Sequence, residues 1–202
     1  MPADDKPPAR VVLLAGPSGC GKSHVAAASG LPVLALDDFY RDHDDHDEPP
    51  MPHRFGIVDW DDPGSWNAAA AVSAIEALCH TGVADVPVYD IPTSRRSGTA
   101  RLDLAGAELF VAEGIFAAEL VQAVRERGLL ADALCLQLHP AVTFARRLLR
   151  DLAESRKPPI TLLRRGFGLA RGEAALTRHW IDLGCRPVSI ARAEQVLHSL
   201  GA

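Results

Sequence analysis

The stretch LLAGPSGCGKSHVAA, residues 13–27, places three glycines, a lysine and a serine between an aliphatic run and an alanine-rich run. Its spacing GxxxxGKS is that of a phosphate-binding loop. Glycines let the backbone curl so that several N–H groups converge on one anion, and the following helix adds the positive end of its dipole. The predicted nucleotide-phosphate site consists of Gly16, Pro17, Ser18, Gly19, Cys20, Gly21, Lys22 and Ser23.

Within this loop, two side chains carry the expected chemistry. Lys22 can reach the outer phosphates of a nucleotide, and the Ser23 hydroxyl can bind Mg²⁺. Cys20 next to a helix start could have a lowered pKa and be reactive, or it could be a small filler side chain. A phosphate loop alone does not identify a reaction, because ATPases, GTPases and small-molecule kinases share it.

Composition sets the class of protein. The chain has 202 residues, 48% hydrophobic and 23% charged, which suits a single globular domain over residues 1–202. A net charge of −5 gives no basic surface for nucleic acid, and no apolar run reaches the roughly 18 residues of a membrane span. Four cysteines without metal or redox spacing, and no secretory signal, lead us to expect reduced thiols in the cytoplasm.

Strand patterns alternate with helix patterns along the chain, which predicts a three-layer α/β fold with a parallel central sheet. A β-hairpin excursion is expected where VPVYDI and ARLDLAG flank a turn-rich segment, and residues 140–172 are expected to form a helical lid. Asp62 followed by Pro63 predicts a helix start. Residues 1–9 are expected to be disordered, and residues 41–54 to form a long loop.

Acidic residues end two of the predicted strands. Asp37 and Asp38 end a strand that we expect to lie beside the strand leading into the glycine loop. One of them can accept a proton from an incoming hydroxyl group. Glu113 ends the buried strand LFVAE, where a carboxylate that organises Mg²⁺ belongs. Either set could instead be ordinary solvated carboxylates.

With these segments in view, the sequence resembles the uridine kinase and phosphoribulokinase family of P-loop kinases. Six segments occur in the family's order: GPSGCGKS, LDDFY, DWDDP, PVYDIPTSRR, VAEGI and ARRLLRD, within roughly residues 10 to 155. The resemblance implies a P-loop kinase fold and an enzyme that uses ATP and Mg²⁺ to phosphorylate a sugar hydroxyl, most closely that of a nucleoside. It does not determine the oligomeric state, and a homo-oligomer is one alternative.

The resemblance also implies residue roles. Asp37 corresponds to the base that takes the hydroxyl proton, Lys22 to the phosphate-binding lysine, and Ser23, Glu113 and Asp37 to the magnesium side of the site. The acceptor-binding positions are Asp37, Tyr40, Trp60, Asp61, Tyr89 and Arg96. Arg146, Arg147 and Arg150 resemble the lid arginines, with Arg147 on the ATP side; at helical spacing such residues can form one cationic cluster over the phosphoryl group.

The acceptor is not determined by these patterns. Pyrimidine kinases often carry a histidine four residues after the aspartate of a Tyr-Asp pair. In this chain the pair is Tyr89-Asp90, the residue at that position is Ser94, and Pro92 lies between them. A sugar phosphate or a vitamin is therefore an alternative acceptor, and an ATP-binding regulatory protein without an acceptor is an alternative function. His43, His46 and His53 lack the spacing of a structural zinc site and are expected in a solvated loop.

Overall fold

The computed structural model describes residues 8–45, 49–54, 56–137 and 175–201. The strands are β1 (Arg10–Ala15), β2 (Val33–Ala35), β3 (His53–Arg54), β4 (Ile57–Val58), β5 (Val83–Asp90), β6 (Arg95–Asp103), β7 (Leu109–Glu113), β8 (Leu130–Leu136) and β9 (Arg186–Val188). The α-helices are α1 (Lys22–Ala28), α2 (Ala68–Thr81), α3 (Val121–Glu126), α4 (175–182) and α5 (Ile190–Gly201). Three-residue or four-residue 3-10 turns span Leu36–Phe39, Pro63–Ser65 and Ala117–Leu120.

Five strands form one parallel sheet in the order β2-β7-β1-β8-β9. Successive side chains of β1 point to opposite faces of this sheet. Val11 and Leu13 pack in the cluster that contains α2, α3 and Trp180 of α4, whereas Val12 and Leu14 pack in the cluster that contains α1 and α5. Helices therefore cover both faces of the sheet, which confirms the predicted three-layer α/β architecture.

The expected position of β2 is wrong. β2 does not pair with β1, because β7 lies between them and pairs with both. The burial of the strands gives the reason: all five residues of β7 are buried, while only the middle residue of β2 is. An apolar strand that is buried along its whole length is favoured inside a sheet, and a short, partly exposed strand is tolerated at its edge.

The two aspartates after β2 also lie differently than expected. They belong to the 3-10 turn Leu36–Phe39 rather than to the end of a strand. The predicted helix start is shifted as well. Asp62 accepts from the Gly64 N–H at 2.8 Å and caps only the short turn Pro63–Ser65, and Asn67 caps α2 by accepting from the Ala70 N–H at 2.9 Å.

The predicted hairpin is present as an antiparallel pair of β5 and β6, separate from the main sheet. Ala9 is buried and its backbone N–H donates to the Cys79 carbonyl at 2.9 Å, so the chain is fixed just before β1. Within the described residues, none of the helices has the length and apolar character required to cross a membrane. The predicted lid, residues 140–172, lies outside the described residues.

Candidate active site

The phosphate-binding loop connects β1 to α1 at the carboxyl edge of the sheet. Gly19 and Gly21 have φ angles of 81° and 101°, a region that side chains with a Cβ atom rarely adopt. Gly16 has no room for a Cβ atom, which would lie 2.7 Å from Cys20 Sγ and 3.2 Å from Leu136 Cβ. Cys20 is fully buried against this turn, in keeping with the role of a small filler. The loop has the tight main-chain path that exposes backbone N–H groups to an anion.

Lys22 supplies the cation of the loop. Only 8% of this residue is exposed, and its Nζ donates to the Pro17 carbonyl at 3.3 Å. Its positive charge opposes the rise in the pKa of the Glu113 carboxyl group that burial causes. The ammonium group donates to a neutral carbonyl, so its positive charge is suited to attract an anion.

Ser23 and Glu113 face one another across the edge of the sheet. The Ser23 hydroxyl donates to Glu113 Oε1 at 2.7 Å. Glu113 is 8% exposed, and burial raises the pKa of its carboxyl group despite the opposing effects of Ser23 and Lys22. Parallel pairing explains the position, since Glu113 lies level with Leu14 of β1 and Ala35 of β2.

This pair fits Mg²⁺, which prefers hard oxygen ligands and is commonly held by one or two carboxylates together with phosphate oxygens and water. Over the described ranges, no three His, Cys, Asp or Glu side chains form a metal-binding group. The residues present that fit such a cation are Ser23 and Glu113, with Asp37 on the neighbouring turn.

Asp37 lies on the same edge as Glu113. A Cβ atom on Gly114 would lie 3.2 Å from Asp37 Oδ1 and 2.8 Å from Leu36 Cβ, so the aspartate is packed against a glycine that follows the glutamate. The charge of Asp37 contributes to raising the pKa of Glu113. Asp37 is exposed to solvent.

Asp38 has a different environment. Its Oδ1 accepts from the Tyr89 backbone N–H at 3.1 Å. Burial raises the pKa of Asp38, and the neighbouring charge of Asp37 adds to this rise, while the Tyr89 hydrogen bond opposes it. The structure thus separates two adjacent aspartates that the local pattern alone did not distinguish: Asp37 lies beside Gly114 and Glu113, and Asp38 ties the turn to the hairpin.

An aromatic group lies beyond Asp37 and Asp38. The Tyr40 ring centroid is 5.6 Å from that of Trp60, 5.8 Å from Tyr89 and 5.9 Å from Phe116. The Tyr40 hydroxyl donates to the Trp60 carbonyl at 3.1 Å. Burial raises the pKa of Tyr89 to about 12, so its hydroxyl stays protonated and donates to the Arg41 carbonyl at 3.1 Å. We call Tyr40, Trp60, Tyr89 and Phe116 the aromatic wall.

Three of the four wall residues were expected from the sequence, and Phe116 was missed. Its only signal is its place two residues after Gly114. Asp61 is half-buried and its backbone N–H donates to Asp59 Oδ1 at 3.3 Å. Arg96 is exposed on β6, and its backbone N–H donates to Asp42 Oδ1 at 2.7 Å.

Some expected site residues cannot be placed. Arg146, Arg147 and Arg150 lie outside the described residues, and so does His46. His43 is exposed and donates its backbone N–H to the Ser94 carbonyl at 3.0 Å, and His53 Nδ1 lies 2.8 Å from the Met51 carbonyl. These two histidines make separate contacts rather than one cluster.

No protein-family profile matches this sequence, and no curated protein matches it. Among solved structures, a Silicibacter sp. TM1040 protein provisionally described as a fructose transport system kinase is 20% identical, with 96% of this chain and 88% of that chain covered at a TM-score of 0.60. The YGR205w protein is 14% identical, with 93% and 88% covered and a TM-score of 0.52. A possible uridine kinase from Bacillus stearothermophilus is 18% identical, with 79% and 88% covered and a TM-score of 0.47, which is too loose to bear on function. The first two likenesses confirm the predicted three-layer α/β P-loop fold.

Proposed function

We propose that this protein transfers the γ-phosphoryl group of ATP to a primary hydroxyl group of a small acceptor, a nucleoside or a similar uncharged alcohol. The observation that carries the proposal is the meeting of three groups at one edge of the sheet. Lys22 in its glycine loop, the Ser23–Glu113 pair and Asp37 all lie there, with Gly114 between the two acids. Open α/β sheets bind ligands at this edge.

The phosphate half of the site would hold ATP. Backbone N–H groups of the loop Gly16 to Ser23, except that of Pro17, which has none, would surround the phosphates, and Lys22 would neutralise part of their charge. Mg²⁺, held by Ser23 and Glu113 with Asp37 nearby, supplies further neutralisation when it is bound. Arg146, Arg147 and Arg150 would add positive charge from the lid and exclude water.

In the transfer step, Asp37 would orient the acceptor hydroxyl and accept its proton. The hydroxyl oxygen forms a bond to the γ-phosphorus while the bond from that phosphorus to the β-phosphate oxygen breaks, and ADP leaves. Phosphoryl transfer depends mainly on positioning and on neutralisation of charge. The exposed carboxylate of Asp37, next to Gly114 and Glu113, supports a role in positioning the acceptor hydroxyl.

The acceptor half favours an uncharged, ring-containing alcohol. The aromatic wall offers faces for a sugar or a base, with Asp61 and Arg96 as further polar contacts. A phosphate group on the acceptor would meet the charges of Asp37 and Asp38. Two arginines of the neighbouring loop and of β6 are already paired with carboxylates: Arg41 with Asp45 at 2.8 Å and Arg95 with Asp44 at 2.6 Å.

The test is ADP release by the purified full chain with MgATP, measured with and without a panel of nucleosides, sugar phosphates and hydroxylated vitamins. We expect ADP release that depends on an uncharged alcohol, and phosphorus NMR should show a phosphomonoester product. Fast release only with a sugar phosphate would overturn the acceptor class. ADP release that ignores every acceptor, or no turnover despite tight ATP binding, would favour an ATP-binding regulatory protein.

A further inference from the structure

Arg41 follows the acidic turn and is nearly buried, although the sequence assigned it no role. Its side chain is 10% exposed. The guanidinium group donates from Nε to Asp45 Oδ2 at 2.8 Å, and from Nη1 to the Pro49 carbonyl at 2.7 Å and to the Gly64 carbonyl at 3.2 Å. One side chain thus joins the two described parts of the loop, residues 41–45 and 49–54, to the turn before α2.

The backbone of Arg41 makes two more connections. Its N–H donates to the Ser65 carbonyl at 2.9 Å, next to the antiparallel bridge between Tyr40 and Trp66. Its carbonyl accepts from the Tyr89 hydroxyl at 3.1 Å. Arg41 therefore contacts the segments that carry three members of the aromatic wall: it is the neighbour of Tyr40, it binds Tyr89, and it fixes the turn that follows Trp60.

We propose that Arg41 is a positioning residue for the acceptor. Its guanidinium clamp fixes the backbone of residue 41, whose carbonyl accepts from Tyr89, and the turn that follows Trp60, and so keeps the aromatic wall in the arrangement that binds the alcohol. This inference rests on the function proposed above. The role depends on the contacts of Nε and Nη1 with Asp45, Pro49 and Gly64 and involves no contact with the substrate.

The chemistry of the clamp requires arginine. A guanidinium group is planar and presents donors in several fixed directions, so it can bind a carboxylate and two carbonyl groups at once. A lysine ammonium is a point charge on a flexible stem and cannot span the same three acceptors from one position. Arg41→Lys should therefore keep the charge and lose much of the clamp.

Arg95 offers a matched control. It also pairs with an aspartate of the same loop, at 2.6 Å from Asp44 Oδ2, but its side chain is 50% exposed. Exposed pairs of this kind contribute little to stability. Arg95→Ala should leave the aromatic wall and acceptor binding unchanged.

The experiment compares the wild-type chain with Arg41→Ala, Arg41→Lys and Arg95→Ala. Three quantities are measured: the acceptor KM and kcat, the Kd of ATP, and hydrogen exchange of the Arg41 amide. For Arg41→Ala we expect an acceptor KM raised at least about tenfold, with kcat and ATP affinity within about twofold, and faster exchange of residue 41. The acceptor KM of Arg41→Lys should lie between those of wild type and Arg41→Ala. Arg95→Ala should match wild type in all three quantities. Should Arg41→Ala fail to fold by circular dichroism, Asp45→Asn removes the ionic part of the clamp and should raise KM in the same direction.

Two results would overturn the inference. An unchanged acceptor KM in both Arg41 variants would show that the clamp does not position the acceptor. A parallel loss of kcat, ATP affinity and melting temperature would show a general structural role instead. If the wild-type chain phosphorylates no alcohol, the proposed function fails and the acceptor role fails with it. Hydrogen exchange then reports separately whether Arg41 fixes the loop.

Discussion

The two halves of the site are built in different ways. The phosphate half comes almost entirely from eight consecutive residues, Gly16 to Ser23, and needs one distant partner, Glu113. The acceptor half is assembled from separate segments around Tyr40, Trp60, Tyr89 and Phe116, which contacts between distant parts of the chain hold together. If the protein is the proposed kinase, binding of the transferred phosphate is encoded locally, while the choice of acceptor depends on tertiary packing.

The largest expected effect separates the two adjacent aspartates where the halves meet. Asp37→Asn should lower kcat at least about 100-fold, since a positioned base contributes about 10²–10⁴-fold, and should leave ATP binding intact. Asp38→Asn is the matched control, because an amide oxygen can still accept from the Tyr89 N–H. It should retain most of kcat. Equal losses in the two variants, measured by steady-state kinetics, would remove the base assignment from Asp37.

The next effect tests the phosphate half alone. Gly16→Ala brings a Cβ atom to 2.7 Å from Cys20 Sγ and 3.2 Å from Leu136 Cβ. Overpacking of this kind costs about 1–3 kcal/mol. We therefore expect ATP affinity, measured by calorimetry, to fall about tenfold or more through distortion of the loop. Gly98→Ala is the control, since no atom lies within 4 Å of a Cβ atom built there. A normal Kd for ATP in Gly16→Ala would show that the loop path is not needed for binding.

A smaller effect concerns stability, because burial raises the pKa of Glu113 above its ordinary value. The folded state then holds a proton more tightly than the unfolded state does, so stability falls as pH rises from the ordinary value of 4.5 through the raised pKa. Glu113→Gln should raise the melting temperature by a few degrees at pH 7.5 without Mg²⁺, and this gain should shrink towards pH 4.5.

The same variant should lose the stabilisation that MgATP gives to wild type, measured by thermal shift. A variant less stable than wild type at pH 7.5 would show that Lys22 and Ser23 outweigh the cost of burying the carboxylate. Retained Mg²⁺ dependence would remove Glu113 from the metal site.

The smallest effect lies in the acceptor half. Tyr89→Phe removes the hydroxyl that donates to the Arg41 carbonyl and keeps the ring in the aromatic wall. A single hydrogen bond contributes about 1 kcal/mol, so the acceptor KM should rise only a few-fold while ATP affinity stays unchanged. A large fall in kcat instead would indicate that the tyrosine hydroxyl contacts the reacting groups.

Local patterns predicted much of the fold. The glycine loop, the hairpin of β5 and β6 and the buried strand β7 lie where the sequence places them, because each has a turn signal or an apolar run of its own. The order of strands was not predictable in full. Insertion of β7 between β1 and β2 depends on which strands have enough buried surface for the centre of the sheet, which is a property of the assembled layers.

The candidate site shows the same division. The sequence indicated Lys22, Ser23 and Glu113 from spacing and strand ends, and the structure brings them together. It could not assign different environments to Asp37 and Asp38, because both sit in one turn and only the contacts with Gly114 and Tyr89 distinguish them. Phe116 and Arg41 had no pattern of their own.

The sequence by itself determined that this chain has a glycine loop able to surround phosphate groups, because a glycine requirement, a lysine and a serine at fixed spacing depend only on the local backbone. The tertiary structure alone decided that Asp37 lies beside Gly114 while Asp38 binds the Tyr89 N–H. It alone brought Phe116 to the aromatic wall and joined Arg41 to the segments around it. Those features depend on distances between residues tens of positions apart, and only the packed sheet and its turns fix such distances.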